Sequence, residues 1–206
     1  MAKIEDMADL KKLYREHYTA ARDPEIVDVP QRPHLMIDGE GDPNTSQMYA
    51  EAVASIYPLA YGLRKAIKDA TGEAYTVMPL EGLWWVPDMS DFTIDDKSGW
   101  LWTSVICLPD AVTPEMAAAV LPTVTEIKKL PLGSIARVEQ FGDGLAAQIM
   151  HHGPYADEAP TIERLHDFIE TEGYNLTGKH HEIYLTDPRR SAPEKNRTII
   201  RQPIAP

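Results

Sequence analysis

Glu182 lies in a short segment near the C-terminus in which polar and apolar residues alternate, a pattern typical of a β-strand. Successive side chains of a strand point to opposite faces. We therefore expect Ile183 and Leu185 on the helix-covered core face, with His180, Glu182 and Tyr184 on the other face. A carboxylate beside an aromatic side chain is partly dehydrated, which suits a general base near neutral pH or a counter-charge for a cation. The alternative is a solvated carboxylate on an exposed sheet face.

The four tryptophans all fall between positions 84 and 102, on two segments that are expected to form neighbouring strands. Alternation places Glu81 and Trp85 on one face of the first strand and Trp84 on its other face. Trp100 and Trp102 share one face of the second strand. Core packing would account for one or two tryptophans, whereas four favour a surface that binds a flat aromatic or cationic ligand.

Tyr155 follows the sequence His-His-Gly-Pro at a predicted strand-to-helix junction. Two interpretations are open at this position: either its hydroxyl reaches into a groove, or its ring packs against the start of the helix. Two pairs of adjacent histidines, 151–152 and 180–181, are poor metal sites because neighbours on a strand point to opposite faces. Without a glycine-rich phosphate loop or a nucleotide fingerprint, we expect neither a metal nor another cofactor.

The composition of the 206-residue chain is that of an ordinary globular protein, with 43% hydrophobic and 25% charged residues. The net charge of −12 disfavours nucleic acids and anionic membranes and would attract cationic small molecules. A single cysteine, Cys107, excludes an internal disulfide. The chain has neither a membrane-length apolar run nor the apolar region of a signal peptide, so we expect a cytoplasmic protein.

The elements that must position these residues follow an order that occurs twice, strand–helix–strand–strand, which predicts an α+β fold. An N-terminal helix is expected over 5–21, and Gly142-Asp143-Gly144 indicates a hairpin between two strands. Pro122 predicts a break in a helix that begins after Thr113. The first series has strands at 36–41, 76–85 and 100–108 with a helix to about residue 70; the second has strands at 148–155, 180–187 and 198–204 with a helix over 157–173.

Several of these segments together resemble the GyrI-like small-molecule-binding family, over nearly the whole chain. The run EIYLTDPRRSAPEKNRTIIRQPI is similar to the closing strands of that family. HHGPY, with the following helix that ends in EGY, is similar to the entry into its second half. The segment from LKKLYREHY to GDPN, together with PLEGLWW and WLWT, resembles its stand-alone bacterial members.

The resemblance implies a tandem strand–helix–strand–strand fold with pseudo-twofold symmetry and a ligand groove between the halves. We expect one domain over 1–206, with an N-terminal helix and extension over 1–33, a first repeat over 34–130 and a second over 131–206. Multidrug-responsive transcription regulators carry a similar domain beside a DNA-binding domain, which we do not expect here.

The resemblance also implies an activity, because stand-alone relatives hydrolyse cyclopropanoid DNA-alkylating compounds. Glu182 matches the groove glutamate with which the drug-binding relatives meet cationic aromatic compounds. For the hydrolysis we expect Glu182 as the general base and Tyr155 as the proton donor, with Glu81 as the alternative base. The expected ligand contacts are Trp84, Trp85, Trp100, Trp102 and Tyr184. Two other functions stay open: binding or sequestration of hydrophobic or cationic aromatic ligands without turnover, and a protein interaction with DNA gyrase, which the family name suggests.

Overall fold

The computed structural model describes residues 9–93, 96–187 and 191–206 and has a mixed α-helical and antiparallel β-sheet architecture, as predicted. Within those ranges the helices are α1 Leu10–Leu13, α2 Gln47–Thr71, α3 Pro114–Lys128 and α4 Ala159–Thr171. The strands are β1 Glu25–Val29, β2 Arg32–Glu40, β3 Glu81–Trp85, β4 Leu101–Cys107, β5 Arg137–Phe141, β6 Gly144–His152, β7 Asn175–Leu176, β8 His180–Tyr184 and β9 Arg197–Ala205.

The chain divides into two compact units. The first unit contains the described residues up to Tyr14 together with Arg32–Met78 and Trp84–Phe141. The second unit contains Arg15–Gln31, Pro79–Leu83 and Gly142–Pro206. The predicted element order is present in the chain, as β2-α2-β3-β4 and later as β6-α4-β8-β9 with the two-residue β7 inserted. The pseudo-twofold symmetry and the groove stay predictions.

In the first unit, β2 pairs with β4 on one side and with β5 on the other, and both pairings are antiparallel. Helix α2 packs against β2 and β4, while α3 packs against α2. The start and the end of α2 carry ordinary local signals. The Ser46 hydroxyl accepts a hydrogen bond from the Tyr49 amide, and Gly72 ends the helix with a φ of 84°. The apolar stripe of α2 is buried, as its spacing predicts.

A glycine in β2 makes room for a fully buried tryptophan ring. Gly39 lies opposite Trp102 in the register of β2 and β4. A Cβ atom built on Gly39 would come within 2.1 Å of the Trp102 ring. The absence of a side chain at this position therefore lets Trp102 lie flat across β2, where it is fully buried.

The second unit contains an antiparallel sheet in the order β1-β6-β9-β8, followed by the first residues of β3, and β7 pairs with the end of β9. Helix α4 covers one face of this sheet. Its Leu165 and Ile169 pack with apolar residues of β6 and β9, all of them buried: Ala147, Ile149, Ile200 and Ile204. The helix therefore fixes one side of the strands that carry Glu182 and its neighbours.

The hairpin predicted at Gly142-Asp143-Gly144 does not form. Strand β5 pairs with β2, whereas β6 pairs with β1 and β9, so the glycines join the two units instead of turning one strand back on the other. The physical reason lies in Asp143, whose carboxylate is buried in ionic contacts instead of standing at a solvated turn.

The N-terminal helix is shorter than predicted. Within the described residues only Leu10–Leu13 are α-helical, and a 3₁₀ turn follows over Arg15–His17. The His17 carbonyl accepts a hydrogen bond from the Arg201 guanidinium at 2.6 Å, so a tertiary contact takes the oxygen that a continuing helix would use. Residues 1–8, which include the predicted start of this helix, lie outside the described residues. The break predicted at Pro122 is also wrong, because α3 continues through it.

None of the described helices combines the length and apolar character that a membrane-crossing segment requires.

Candidate functional site

Three side chains of β8 meet on one face of the strand, as the alternation predicts. The Glu182 carboxylate accepts a hydrogen bond at Oε2 from the Tyr184 hydroxyl, 2.7 Å away. Its Oε1 lies 3.2 Å from Nε2 of His180, a distance at which a protonated Nε2 donates to an ionised carboxylate. The Glu182 residue is 8% exposed. The carboxylate is thus held at both oxygens and is largely removed from water.

Tyr155 completes what we call the Glu182 cluster: His180, Glu182, Tyr184 and Tyr155. It begins the 3₁₀ turn Tyr155–Asp157 that leads from β6 towards α4, which confirms its predicted position at a strand-to-helix junction. Its ring packs edge-on against Tyr184, with 5.5 Å between ring centroids. The structure therefore brings together three of the predicted site residues, Glu182, Tyr155 and Tyr184.

The face that carries Glu182 is the one α4 covers, which reverses the sequence prediction. Glu182 lies opposite Ile200 in the register of β8 and β9. Ile200 packs with Leu165 and Ile169 of α4, so Glu182 shares the helix-covered side. Ile183, on the opposite side, is also fully buried. Because both faces of β8 are buried, the apolar residue alone does not identify the face under the helix.

Glu81 belongs to a second group, which we call the buried ion network: Glu81, His181, Asp143 and Arg201. The imidazole of His181 lies 3.0 Å from Glu81 Oε2 and 2.8 Å from Asp143 Oδ2. Arg201 donates to the same Asp143 oxygen at 3.2 Å. All four side chains are at most 3% exposed. Two acidic and two basic groups thus compensate one another inside the unit.

Polar contacts extend this network across the sheet. The Tyr18 hydroxyl donates to Glu81 Oε1 at 2.6 Å. Arg201 lies opposite both His181 and Gln148 in the strand registers, and it donates to the Gln148 side-chain oxygen at 2.9 Å. The Gln148 amide donates in turn to Glu25 on β1 at 3.0 Å. One polar row therefore links β1, β6, β9, β8 and the start of β3.

The electrostatics of the network favour its charged form. Burial disfavours the charged imidazole, but the Asp143 carboxylate and then Glu81 outweigh it and raise the pKa of His181 to about 9. Burial also disfavours ionised Asp143, yet His181 and then Arg201 lower the pKa of that carboxyl to about 2. At neutral pH, Glu81 is therefore bonded to an imidazolium, which makes it a weaker base than an unpaired carboxylate.

We predict that the free energy of unfolding decreases as the pH rises from 7 to 9. The folded protein holds a proton on His181 that the unfolded chain, with an ordinary histidine pKa near 6.5, releases in this range. The stabilisation is therefore complete below about pH 6.5 and is lost as the pH approaches 9, by about 2 kcal/mol between pH 7 and 9. Urea unfolding at both pH values measures it.

An NMR titration of the His181 ring provides the control for this prediction. His152 and His166, whose pKa values are lowered chiefly by burial, are neutral above pH 7 and contribute no slope there. A stability that stays flat from pH 7 to 9, or a His181 ring that titrates near 6.5, would contradict the assignment.

The tryptophans lie in the first unit. Trp84, Trp100 and Trp102 are at most 3% exposed and pack in a chain of ring contacts with Tyr49 of α2, at centroid distances of 5.1–5.6 Å. Trp85 is partly exposed. Among the described residues, the indole nitrogens of Trp84 and Trp102 have no hydrogen-bond partner. The ligand contacts expected of the four tryptophans stay predictions.

Within residues 9–93, 96–187 and 191–206, no group of three histidine, cysteine or acidic side chains is arranged to hold a metal ion. The adjacent histidines 180 and 181 instead divide between the Glu182 cluster and the buried ion network. His180 contacts Glu182 on one face of β8, and His181 contacts Glu81 and Asp143 on the other.

Sequence reasoning missed His181, Asp143 and Arg201 as site neighbours, and it placed His180 beside Glu182 without giving it a role. Strand parity carried a usable signal for His180, because it places this residue beside Glu182. Nothing local marked Asp143, whose glycine neighbours are typical of a turn, or Arg201, which lies about 20 residues beyond Glu182. Pro188, Arg189 and Arg190, in the run that resembles the closing strands of the family, lie outside the described residues.

Comparison with known proteins confirms the family that the sequence resembles. Residues 22–205 match the model of the GyrI-like small molecule binding domain. The chain is 38% identical to an uncharacterized conserved protein from Listeria innocua, covering 96% of this chain and 99% of the other, with a TM-score of 0.88. It is 36% identical to a hydrolase from Listeria innocua, covering 96% and 99%, with a TM-score of 0.82. A hydrolase encoded by lin2189 of the same organism is also 36% identical, covering 96% and 98%, with a TM-score of 0.83. The search of curated proteins found no match.

Proposed function

The chain belongs to the GyrI-like small-molecule-binding domain family, and from this membership we propose that it is a hydrolase that adds water to the cyclopropane ring of cyclopropanoid DNA-alkylating compounds and so detoxifies them. The observation that carries the proposal is the Glu182 carboxylate, nearly buried, held at both oxygens and accompanied by two tyrosines. Two relatives that are 36% identical over almost their full length are described as hydrolases, which supports a hydrolytic reaction.

Glu182 serves as the general base in the proposed reaction. A water oxygen attacks the unsubstituted carbon of the strained ring while Glu182 accepts one of its protons. The ring carbon–carbon bond breaks, and its electron pair moves through the conjugated system to the carbonyl oxygen. That oxygen takes a proton from the Tyr155 hydroxyl and becomes a phenol. Exchange with solvent returns a proton to Tyr155 and removes one from Glu182, so the product is the substrate plus one water.

Glu182 is preferred to Glu81 as the base because their hydrogen-bond donors differ. Glu81 accepts from Tyr18 and from His181, whose pKa is raised to about 9, so its negative charge is balanced within the network. Glu182 accepts instead from the Tyr184 hydroxyl and from the imidazole of His180.

Binding without turnover is the second candidate function. The family description as a small molecule binding domain and the occupied oxygens of Glu182 favour it. The acidic net charge of −12 also suits retention of cationic ligands. Under this alternative the protein protects only as much compound as it can hold. Three further expectations stay predictions: an interaction with gyrase, the lack of nucleic-acid binding and a cytoplasmic location.

Mass spectrometry separates the two functions. We expect a spirocyclopropane alkylator, incubated with protein at one hundredth of its concentration, to be converted completely into a product heavier by one water. Denatured protein gives the spontaneous rate. Recovery of unchanged compound, with protection limited to one equivalent of protein, would establish binding without hydrolysis.

A further inference from the structure

His180 is a buried polar residue of the Glu182 cluster to which the proposed reaction gives no task. Its side chain is 3% exposed, and its Nε2 lies 3.2 Å from Glu182 Oε1. Strand alternation keeps the two residues on one face of β8, and the Ile200 register places that face under α4. The contact is therefore fixed by the strand and covered by the helix, unlike a chance pairing at the surface.

A second imidazole faces this pair from α4. His166 lies close enough to His180 for their charges to interact, and its pKa is lowered, first by burial and then by His180. Its Nε2 is buried without a hydrogen-bond partner among the described residues. Protonation of both imidazoles at close range costs free energy because their positive charges repel each other. Glu182 on β8 and His166 on α4 are thus two titratable groups that interact with His180.

We propose that His180 is a positioning residue for Glu182: its Nε2–H holds Oε1 while Tyr184 holds Oε2, so that the carboxylate has one orientation towards the attacking water. A carboxylate on a glutamate side chain otherwise rotates freely about its last bond. Two donors from the same strand, one at each oxygen, fix that rotation. This proposal rests on the proposed hydrolysis, in which orientation of the base affects the rate of the chemical step.

Two amide substitutions test the role because they place the donor differently. In His180→Gln the terminal nitrogen reaches the position of Nε2, whereas in His180→Asn it reaches only that of Nδ1. We expect His180→Gln to stay within about 3-fold of the wild-type kcat. We expect His180→Asn to lose about 10-fold to 100-fold in kcat, with KM changed less than about 2-fold. Both variants are polar, so a purely structural role would affect them alike. His152→Gln, at an exposed position on β6, is the matched control.

An NMR measurement tests the contact independently of turnover. In ¹⁵N spectra above neutral pH, His180 is expected to carry its proton on Nε2. His152 provides the reference ring in the same spectra.

The outcomes separate the two proposals. Equal kcat in His180→Gln and His180→Asn, in a wild type that does turn over, overturns the positioning role and leaves the hydrolysis intact. A proton on Nδ1 also overturns it. A wild type without turnover overturns the hydrolysis; a protonated Nε2 would then still assign the His180–Glu182 contact.

Discussion

Replacing Glu182 by glutamine is expected to lower turnover of a cyclopropanoid substrate by at least about 10²-fold while binding persists. Glutamine preserves the shape of the side chain and can still accept the Tyr184 hydrogen bond through its carbonyl oxygen. It has no negative charge and is too weak a base to take a proton from water. Removal of the base therefore affects the chemical step more than the bound state. Single-turnover kinetics measures the first, and fluorescence titration with an unreactive aromatic analogue measures the second.

Glu163→Gln provides the matched control for this experiment. Glu163 lies at an exposed position of α4 in the same unit, so the substitution makes the same chemical change outside the cluster. Its turnover should equal that of the wild type. Turnover retained in Glu182→Gln would move the base role to Glu81, and loss of analogue binding in Glu182→Gln would instead assign Glu182 to ligand capture.

Much of the fold could be predicted because its signals are local. The start and end of α2 follow from Ser46, Gly72 and a buried stripe of helical spacing, all of which act within one or two turns. The meeting of His180, Glu182 and Tyr184 follows from strand alternation alone. Each of these depends on residues that are close in sequence, so a single chain is enough to reveal them.

The errors arose where a distant partner decides the structure. Gly142-Asp143-Gly144 has the composition of a hairpin turn, but the Asp143 carboxylate is buried against His181 and Arg201, about 40 and 60 residues further along the chain. The predicted N-terminal helix ends early for a related reason, since Arg201 takes the His17 carbonyl. Neither partner is visible from local propensity.

The predictions for the site also succeeded where local sequence decides and failed where distant residues do. Parity identified the three β8 residues but misassigned their face, because α4 and the contacts around Tyr18 bury both sides of the strand. Glu81 stood out as a carboxylate near tryptophans, whereas its actual partners are Tyr18 and His181. Which carboxylate has a cationic partner is decided by strand order, and strand order is a long-range property.

Replacing Asp143 by asparagine is expected to lower the free energy of unfolding by about 3 kcal/mol, because it leaves two buried cations with one carboxylate fewer. His181 and Arg201 both contact the same Asp143 oxygen, at 2.8 and 3.2 Å. The substitution keeps the size of the side chain and removes only its charge. His181 retains Glu81, and Arg201 retains Gln148 and the His17 carbonyl, which limits the loss.

Asp23→Asn makes the same chemical change at an exposed ion pair of the same unit. Asp23 is 92% exposed and lies 3.2 Å from Arg164, so its removal is expected to cost less than about 0.5 kcal/mol. Urea unfolding of both variants at pH 7 gives the comparison. The Asp143→Asn variant should also lose less stability between pH 7 and 9 than the wild type, since the carboxylate that raises the pKa of His181 most is gone. Equal stability of the two variants would mean that the ionic contacts only compensate the cost of burying their charges, and that the sheet is stabilised by its apolar packing against α4.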